Sequence, residues 1–324
     1  MLLACDIGGT HSRFALCEVY KGKPVIIEER EYFSKDFDTV EESTKAFLDE
    51  SKAGQTTKII NSACFSLAGP IQNGQCKLVN LDLTVSLDKL AIALAPLTKI
   101  TFCNDLVAVG HGLSVLCPQE LLTLTEGNKQ TISVNRDLFP KVILAPGTGL
   151  GEALMIEGSV YPSEGSHCDF GPQSEEEVML WNFLHRKYGH VSYDRILSGP
   201  GLTNIYDCLR KENTISYLPG LSPEEISKKA AANLCPICEK TLHLFVKILG
   251  AEAGNFVLKT LAFGGVYLGG GILPHILPKL QDGTLLESFK AKGRFNNFME
   301  QIPIYIILNS KTALLGAALL AQRL

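Results

Sequence analysis

The 324-residue chain has no excess of positive charge: 30 Lys and Arg stand against 34 Asp and Glu, a formal net charge of −4. It has no cluster of basic residues interleaved with aromatics, so no nucleic-acid partner is expected. No Lys- or Arg-rich amphipathic segment suits a membrane surface, and no uninterrupted apolar run approaches the length of a bilayer span. The start is apolar but lacks a basic region, and Asp6 interrupts the run at once. That is unlike a secretory signal, and a cytoplasmic protein is expected. Ten cysteines are too sparse for a disulfide scaffold. Many lie in apolar runs, as in Ala63-Cys64-Phe65, which suits reduced, buried thiols. Cys235-Pro-Ile-Cys238 has redox or metal spacing, but no second pair completes a four-ligand zinc site. A structural role is expected for it. The single tryptophan, Trp181, lies in a helical pattern and is expected to pack.

A hydrophobic content of 46% with 20% charged residues marks a folded protein, long enough for two domains. Glycines punctuate it. Leu2 to Leu16 reads as strand, tight turn, strand around Asp6-Ile-Gly-Gly-Thr10. Backbone N–H groups in such a turn form an anion-binding nest, Thr10 adds a hydroxyl, and Asp6 can face a cation held by that anion. An ordinary hairpin is the rival reading. Lys141 to Pro146, Gly147-Thr-Gly-Leu-Gly151 and Glu152 to Ile156 repeat the pattern. No Walker lysine follows those glycines, and a strand rather than a helix comes next, which disfavours both P-loop and dinucleotide fingerprints. A third glycine turn, Gly269-Gly-Gly271, follows the strand ending at Leu268.

Other segments fill in an α/β pattern. Helices are expected over Thr39–Lys52, Ser86–Leu97 (with Ser86 as cap) and from Leu106 to Gly110 or Gly112. The strand Lys99–Cys103 delivers Asn104-Asp105 at its carboxyl end, where open α/β sheets favour ligand contacts, although Asp105 could simply cap its helix. The polar loop Pro162–Asp169 holds Glu164 and His167, both able to bond a polyhydroxy ligand or merely to sit on a surface. Ser174 and Glu177 have capping-box spacing before a helix ending at Gly189, and Ser222 and Glu225 repeat it before a long helical region reaching Leu261. Ser198-Gly-Pro-Gly201 reads as a turn. A final strand, Pro303–Leu308, precedes a helix over Thr312–Gln322.

Taken together, Asp6-Ile-Gly-Gly-Thr10 with Arg13, Ala68-Gly-Pro70, Asn104-Asp105, Ala145-Pro-Gly-Thr-Gly-Leu-Gly151, Glu164-Gly-Ser-His167, Leu197-Ser-Gly-Pro-Gly201, Phe263-Gly-Gly265 and Gly269-Gly-Gly-Ile272 resemble the bacterial-type glucokinase family, within the hexokinase and actin-like ATPase superfamily. The marks run through almost the whole chain in the family's order. The resemblance implies a two-domain actin-like ATPase (ribonuclease H-like) fold with a central cleft. A small domain over 1–115 would be completed by 303–324, with a large domain over 116–302. It implies ATP-dependent phosphorylation of glucose, or a close hexose, at the 6-hydroxyl. Asp105 would be general base; Asn104, Asp105, Glu164, His167 and Asp194 would hold the sugar. Gly8, Gly9, Thr10, Gly147, Thr148 and Gly149 would meet the phosphates, Gly270 and Gly271 would leave room near the nucleoside, and Asp6 would orient hydrated Mg²⁺. A homodimer is a further implication. Three positions depart from the family pattern: His11 replaces Asn, Ser166 replaces the second Gly between Glu164 and His167, and Asp194 replaces a longer Glu. A kinase for another hexose, or a non-enzymatic sugar-responsive regulator, are the alternatives.

Overall fold

In the computed structural model, which describes residues 1–51, 59–78, 81–128, 136–212 and 219–324, the N-terminal glycine turn joins β1 (Leu2–Ile7) to β2 (His11–Tyr20). A second turn leads into β3 (Lys23–Phe33). Its Lys21 and Gly22 both have positive φ, 49° and 81°, which matches the twist of the flanking strands. The chain continues through α1 (Val40–Glu50) and β4 (Ser62–Leu67), then a small antiparallel sheet of β5 (Ile71–Gln72), β6 (Gln75–Leu78) and β7 (Leu83–Ser86). α2 (Leu87–Ala93), β8 (Ile100–Asn104) and α3 (Asp105–Leu113) follow. Strand order in the main sheet is β3-β2-β1-β4-β8.

Alternation along β1 splits its residues between two cores. Leu3, Cys5 and Ile7 join Phe14, Phe47 and Phe65. Leu2 and Ala4 join a cluster of small residues, Ala15, Cys64 and Cys103, with Ala317 and Ala318 of the C-terminal helix Thr312–Gln322. Small residues are needed there: a Cβ on Gly316 would overlap the Ala108 carbonyl, and one on Gly112 the Thr312 carbonyl.

Contacts divide the chain into two compact units, Met1–Glu120 with Gly158–Pro162 and Asn309–Leu324, and Leu121–Glu157 with Ser163–Leu308. The second contains β9 (Leu121–Thr125), β10 (Lys141–Pro146) and β11 (Leu150–Ile156); β12 (Ser159–Ser163) comes next in the chain. Then follow α4 (Glu175–Tyr188), α5 (Gly199–Glu212), α6 (Pro223–Ala231), α7 (Pro236–Thr260), β13 (Gly265–Leu268), α8 (Leu277–Leu280), α9 (Thr284–Lys290), α10 (Asn296–Met299) and β14 (Ile304–Ile307). Its strands run β11-β10-β13-β14-β9. Because β14 pairs with β13 and β9, the chain returns to the first unit only at Asn309, one strand later than the 303 read from the sequence.

Several local expectations are revised. Ser86 stands before α2 without a capping bond from its side chain, and the helix stops at Ala93, ahead of Pro96. In α4 the Ser174 hydroxyl accepts from Glu177 N at 3.3 Å, but the Glu177 carboxylate accepts from Gln173 N at 2.8 Å and from the Ser174 hydroxyl at 3.2 Å in place of the Ser174 N–H that a capping box would use. The box at Ser222 and Glu225 is complete. The long helical pattern is two helices: Asn233 takes a left-handed φ of 54°, and Cys235 caps α7 by accepting from Cys238 N at 3.4 Å. Burial pushes the Cys238 thiol up to about 12, with its contact to Cys235 adding to the shift. Cys235 thus has a structural part, as the cap of α7. α7 has the length and composition of a bilayer span, yet Leu242, Phe245, Ile248 and Leu249 are buried in the second unit's core. Trp181 packs on that core and stacks on His185, with ring centroids 4.5 Å apart.

Candidate active site

In the first unit, parallel register across β1, β4 and β8 aligns Asp6 with Ser66 and Cys103, and Ile7 with Leu67 and Asn104. Asp6, Asn104 and the helix-opening Asp105 therefore emerge together at the carboxyl edge of the sheet, where such sheets take ligands. Ser66 Oγ donates to Asp6 Oδ1 at 3.0 Å. Burial raises the Asp6 carboxyl, opposed by that bond and by Arg13. Asn104 Oδ1 and Asp105 Oδ1 both accept from Leu106 N, at 3.0 and 2.9 Å. Capping thus takes the single side-chain oxygen of Asn104 and one of the two on Asp105 and fixes both side chains at the strand end, which is compatible with the ligand reading.

The first glycine turn closes through Gly8 N to His11 O, 3.0 Å. Ser34 clamps it: its hydroxyl donates to Gly8 O at 2.8 Å and its N–H to Thr10 O at 2.9 Å. With the only Ser34 hydroxyl proton so used, Ser12 must donate in the 2.9 Å contact between the two hydroxyls. The His11 ring lies 5.0 Å from that of Phe33, with Nε2 3.7 Å from Glu31, so this departure lines the β2–β3 pair. Arg13 pairs with Glu31 as well.

In the second unit, Gly147 N donates to Gly149 O and Gly199 N to Gly147 O, both at 2.8 Å. Leu150 N donates to Asp194 Oδ1 at 2.9 Å. A side chain at 149 would bring its Cβ to 2.8 Å from that oxygen, so it would displace the Asp194 carboxylate from the turn. Thr148 is exposed. Gly270 has φ +88°, and a Cβ on it would overlap the Pro146 carbonyl at the end of β10, whereas Gly271 borders open space.

Glu164 precedes and His167 ends a single 3-10 turn, Gly165–His167. Their side chains are 71% and 60% exposed, and His167 Nε2 lies 3.8 Å from Glu164 Oε2. Ser166 between them is buried, and its carbonyl accepts from Asp194 N at 2.9 Å. Asp194 therefore ties the loop of Glu164 and His167 to the Gly147–Gly151 turn, through its backbone on one side and its carboxylate on the other. Sequence reading placed Asp194 on the sugar; this tie, with one carboxylate oxygen committed to Leu150 N, was not foreseen. Ser34, Ser66 and Gly199 were missed too. Ser66 carried a signal, as a polar residue inside the buried strand Ser62–Leu67, and so did Gly199, within Leu197-Ser-Gly-Pro-Gly201; Ser34 carried none.

Among the described residues, no group of three or more His, Cys, Asp and Glu is placed to hold a metal ion. A Mg²⁺ ion that kept several waters and bound substrate phosphates would need only one or two carboxylates. Asp6, a carboxylate at the sheet edge with Ser66 donating to it, fits that role.

The Glucokinase family model matches residues 3–324. The chain is 36% identical to the glucokinase of Trichormus variabilis, covering 100% of this chain and 99% of that one. Among solved structures it is similar to a glucokinase from an Antarctic psychrotroph, with a TM-score of 0.82, 28% identity, and coverage of 100% of this chain and 99% of the other. A ROK family glucokinase from Streptomyces griseus, solved with glucose and AMPPNP, shares the fold at a TM-score of 0.68 and 15% identity, covering 99% of each chain.

Proposed function

The chain belongs to the glucokinase family, whose activity is glucose phosphorylation by a kinase, and we propose that it transfers the γ-phosphoryl group of ATP to the 6-hydroxyl of glucose with Asp105 as general base. The observation that carries this reading is the row of strand ends at β1, β4 and β8, which sets Asp6 beside Ser66 and presents Asn104 and Asp105 at the same sheet edge.

Asp105 accepts the 6-hydroxyl proton as the oxygen attacks phosphorus; a positioned base of this kind is worth about 10²–10⁴-fold. Its bond from Leu106 N holds the carboxylate in place. Asn104, Glu164, His167 and Asp194 bond the sugar hydroxyls. Gly8, Gly9 and Thr10 and Gly147, Thr148 and Gly149 meet the phosphates, with the N–H groups of Gly8 and Gly147 closing the turns and the other N–H groups of each turn turned to phosphate oxygens, and the glycines at 270 and 271 leave room for the nucleoside. Mg²⁺, when bound, neutralises charge on the phosphates, and Asp6 holds its water shell. Glucose and AMPPNP in the Streptomyces griseus protein support pairing the sugar with ATP. A cytoplasmic homodimer belongs to the same reading; sedimentation of the purified chain tests the dimer.

The direct test is ATP-dependent phosphorylation of glucose, mannose, fructose and amino sugars, with and without Mg²⁺. Highest kcat/KM for glucose, lost without Mg²⁺, is expected. A higher value for another hexose would move the assignment to that sugar, and no turnover with any of them would favour a sugar-responsive regulator.

A further inference from the structure

Beneath the loop that carries Glu164 and His167 lies a buried acid without a part in phosphoryl transfer. Glu152 opens the body of β11 directly after the Gly147–Gly151 turn and is 3% exposed. Among the described residues its Oε1 has no hydrogen-bonding partner. Oε2 sits against Gly165, so closely that a Cβ on Gly165 would overlap it. Gly165 is the residue between Glu164 and Ser166.

A second buried acid, Glu252 of α7, is 1% exposed. Its Oε2 accepts from Asn255 Nδ2 at 2.9 Å, and its Oε1 lies 3.9 Å from Lys259. Asn255 Nδ2 also reaches the Tyr193 hydroxyl at 2.9 Å, and Tyr193 adjoins Asp194. Lys292 Nζ is held by Asn255 Oδ1 at 2.6 Å and by the Ala251 carbonyl at 2.8 Å.

We propose that Glu152 is a positioning residue for the sugar-binding loop, acting as a neutral carboxyl group that seats Gly165 and so sets the spacing of Glu164 and His167. The proposal rests on the assignment of those two residues to the sugar. Its physical basis is the cost of ionising two carboxyls together in a protein interior. The groups facing the pair are Glu252 and Lys259 from α7, Tyr193 ahead of α5 and Lys292 after α9, with Glu164 and His167 exposed on the loop itself. Neither lysine compensates Glu152 directly: Lys259 is beside Glu252, and Lys292 is engaged by Asn255 and Ala251. Burial, and then Glu252, push the Glu152 carboxyl from 4.5 up to about 8, against the pull of Lys259. Loss of its proton above that pH puts an unpartnered charge under Gly165, which relaxes only by moving the loop or admitting water.

The linkage sign is definite. The folded protein keeps a proton that the unfolded chain releases between pH 4.5 and about 8, so this group makes stability fall as pH rises through that window and level off above it. That decline occurs whatever the loop does, so thermal stability does not discriminate. Sugar affinity does. Equilibrium glucose binding, with KM and kcat alongside, should be measured from pH 6.5 to 9.5 in the unmodified protein, Glu152→Gln, Glu252→Gln and His167→Ala. In the unmodified protein glucose affinity weakens above pH 8 by up to about tenfold per pH unit, the limit for one proton. Glu152→Gln abolishes that inflection, and Glu252→Gln, which keeps the carboxyl but removes its charged neighbour, moves it to lower pH. Coincident profiles for the unmodified protein and Glu152→Gln overturn the proposal. If Glu152→Gln does not fold, an unmoved inflection in Glu252→Gln overturns it equally. Unchanged glucose affinity in His167→Ala removes the sugar-loop assignment and the proposal together, whereas weakened affinity there with coincident profiles removes the proposal alone.

Discussion

The two glycine turns look alike as sequence, each a strand running into glycines and a threonine and out along a second strand, but they are held by different means. Gly8-Gly9-Thr10 is clamped by Ser34, a neutral residue whose hydroxyl and N–H take the Gly8 and Thr10 carbonyls. Gly147–Gly151 is clamped by a carboxylate, Asp194 accepting from Leu150 N, and by Gly199 donating to the Gly147 carbonyl. The first clamp is local to a hairpin. The second also engages Ser166 in the loop of Glu164 and His167. A change at the first turn should therefore act on nucleotide alone, and a change at the second on nucleotide and sugar together.

The largest effect lies at neither turn. Asp105→Asn keeps an oxygen able to accept from Leu106 N but removes the base, so kcat should fall about 10²–10⁴-fold while glucose binding changes little. Steady-state kinetics with a binding titration check this. Near-normal turnover would place proton transfer elsewhere and reopen the glycine turns as sources of the chemistry.

Asp194→Ala should rank second. It removes a charged acceptor from Leu150 N, and hydrogen bonds to charged groups contribute about 1.5–3 kcal/mol, or about ten- to a hundredfold in affinity. The expected outcome is a rise in KM for both ATP and glucose, with Asp194→Asn intermediate because its amide oxygen still accepts. A rise for glucose alone would make Asp194 a simple sugar ligand and dissolve the contrast between the two turns.

That contrast was only half visible in the sequence. Asn104-Asp105 and the glycine turns could be found because each is a short contiguous run at the end of an apolar segment. The clamps could not, because they depend on strand pairing over distance: Ser34 meets Gly8 only once β2 has paired with β3, and Ser66 meets Asp6 through parallel register across 60 residues. Glu152 was read simply as a strand residue, since its place against Gly165 and the nearness of Glu252 exist only in the folded chain. Punctuation misled in the other direction. Ser198-Gly-Pro-Gly201 reads as a turn, but α5 starts at Gly199, since the first helical turn needs no proline N–H and the Ser198 hydroxyl accepts from Gly201 N at 3.1 Å.

The smallest expected effect is the most selective. Ser34→Ala leaves the backbone bond from residue 34 to the Thr10 carbonyl in place and removes only the hydroxyl. The Gly8 carbonyl then loses its donor and Ser12 its acceptor, inside a site where both serines are buried. Neutral hydrogen bonds of this kind contribute about 0.5–1.5 kcal/mol each, so the turn should loosen without unfolding the hairpin, whose β1–β2 register spans Leu2 to Ile7. KM for ATP should rise by about two- to tenfold, the range those energies permit. Glucose affinity should stay where it is, because the Ser34 hydroxyl bonds Gly8 and Ser12, neither of them assigned to the sugar. Measured beside Asp194→Ala, the two variants separate a clamp that serves one substrate from a clamp that serves two. Equal losses of ATP and glucose affinity in Ser34→Ala would mean that the first turn, too, is coupled to the sugar, and that its neutral, local clamp does not isolate it.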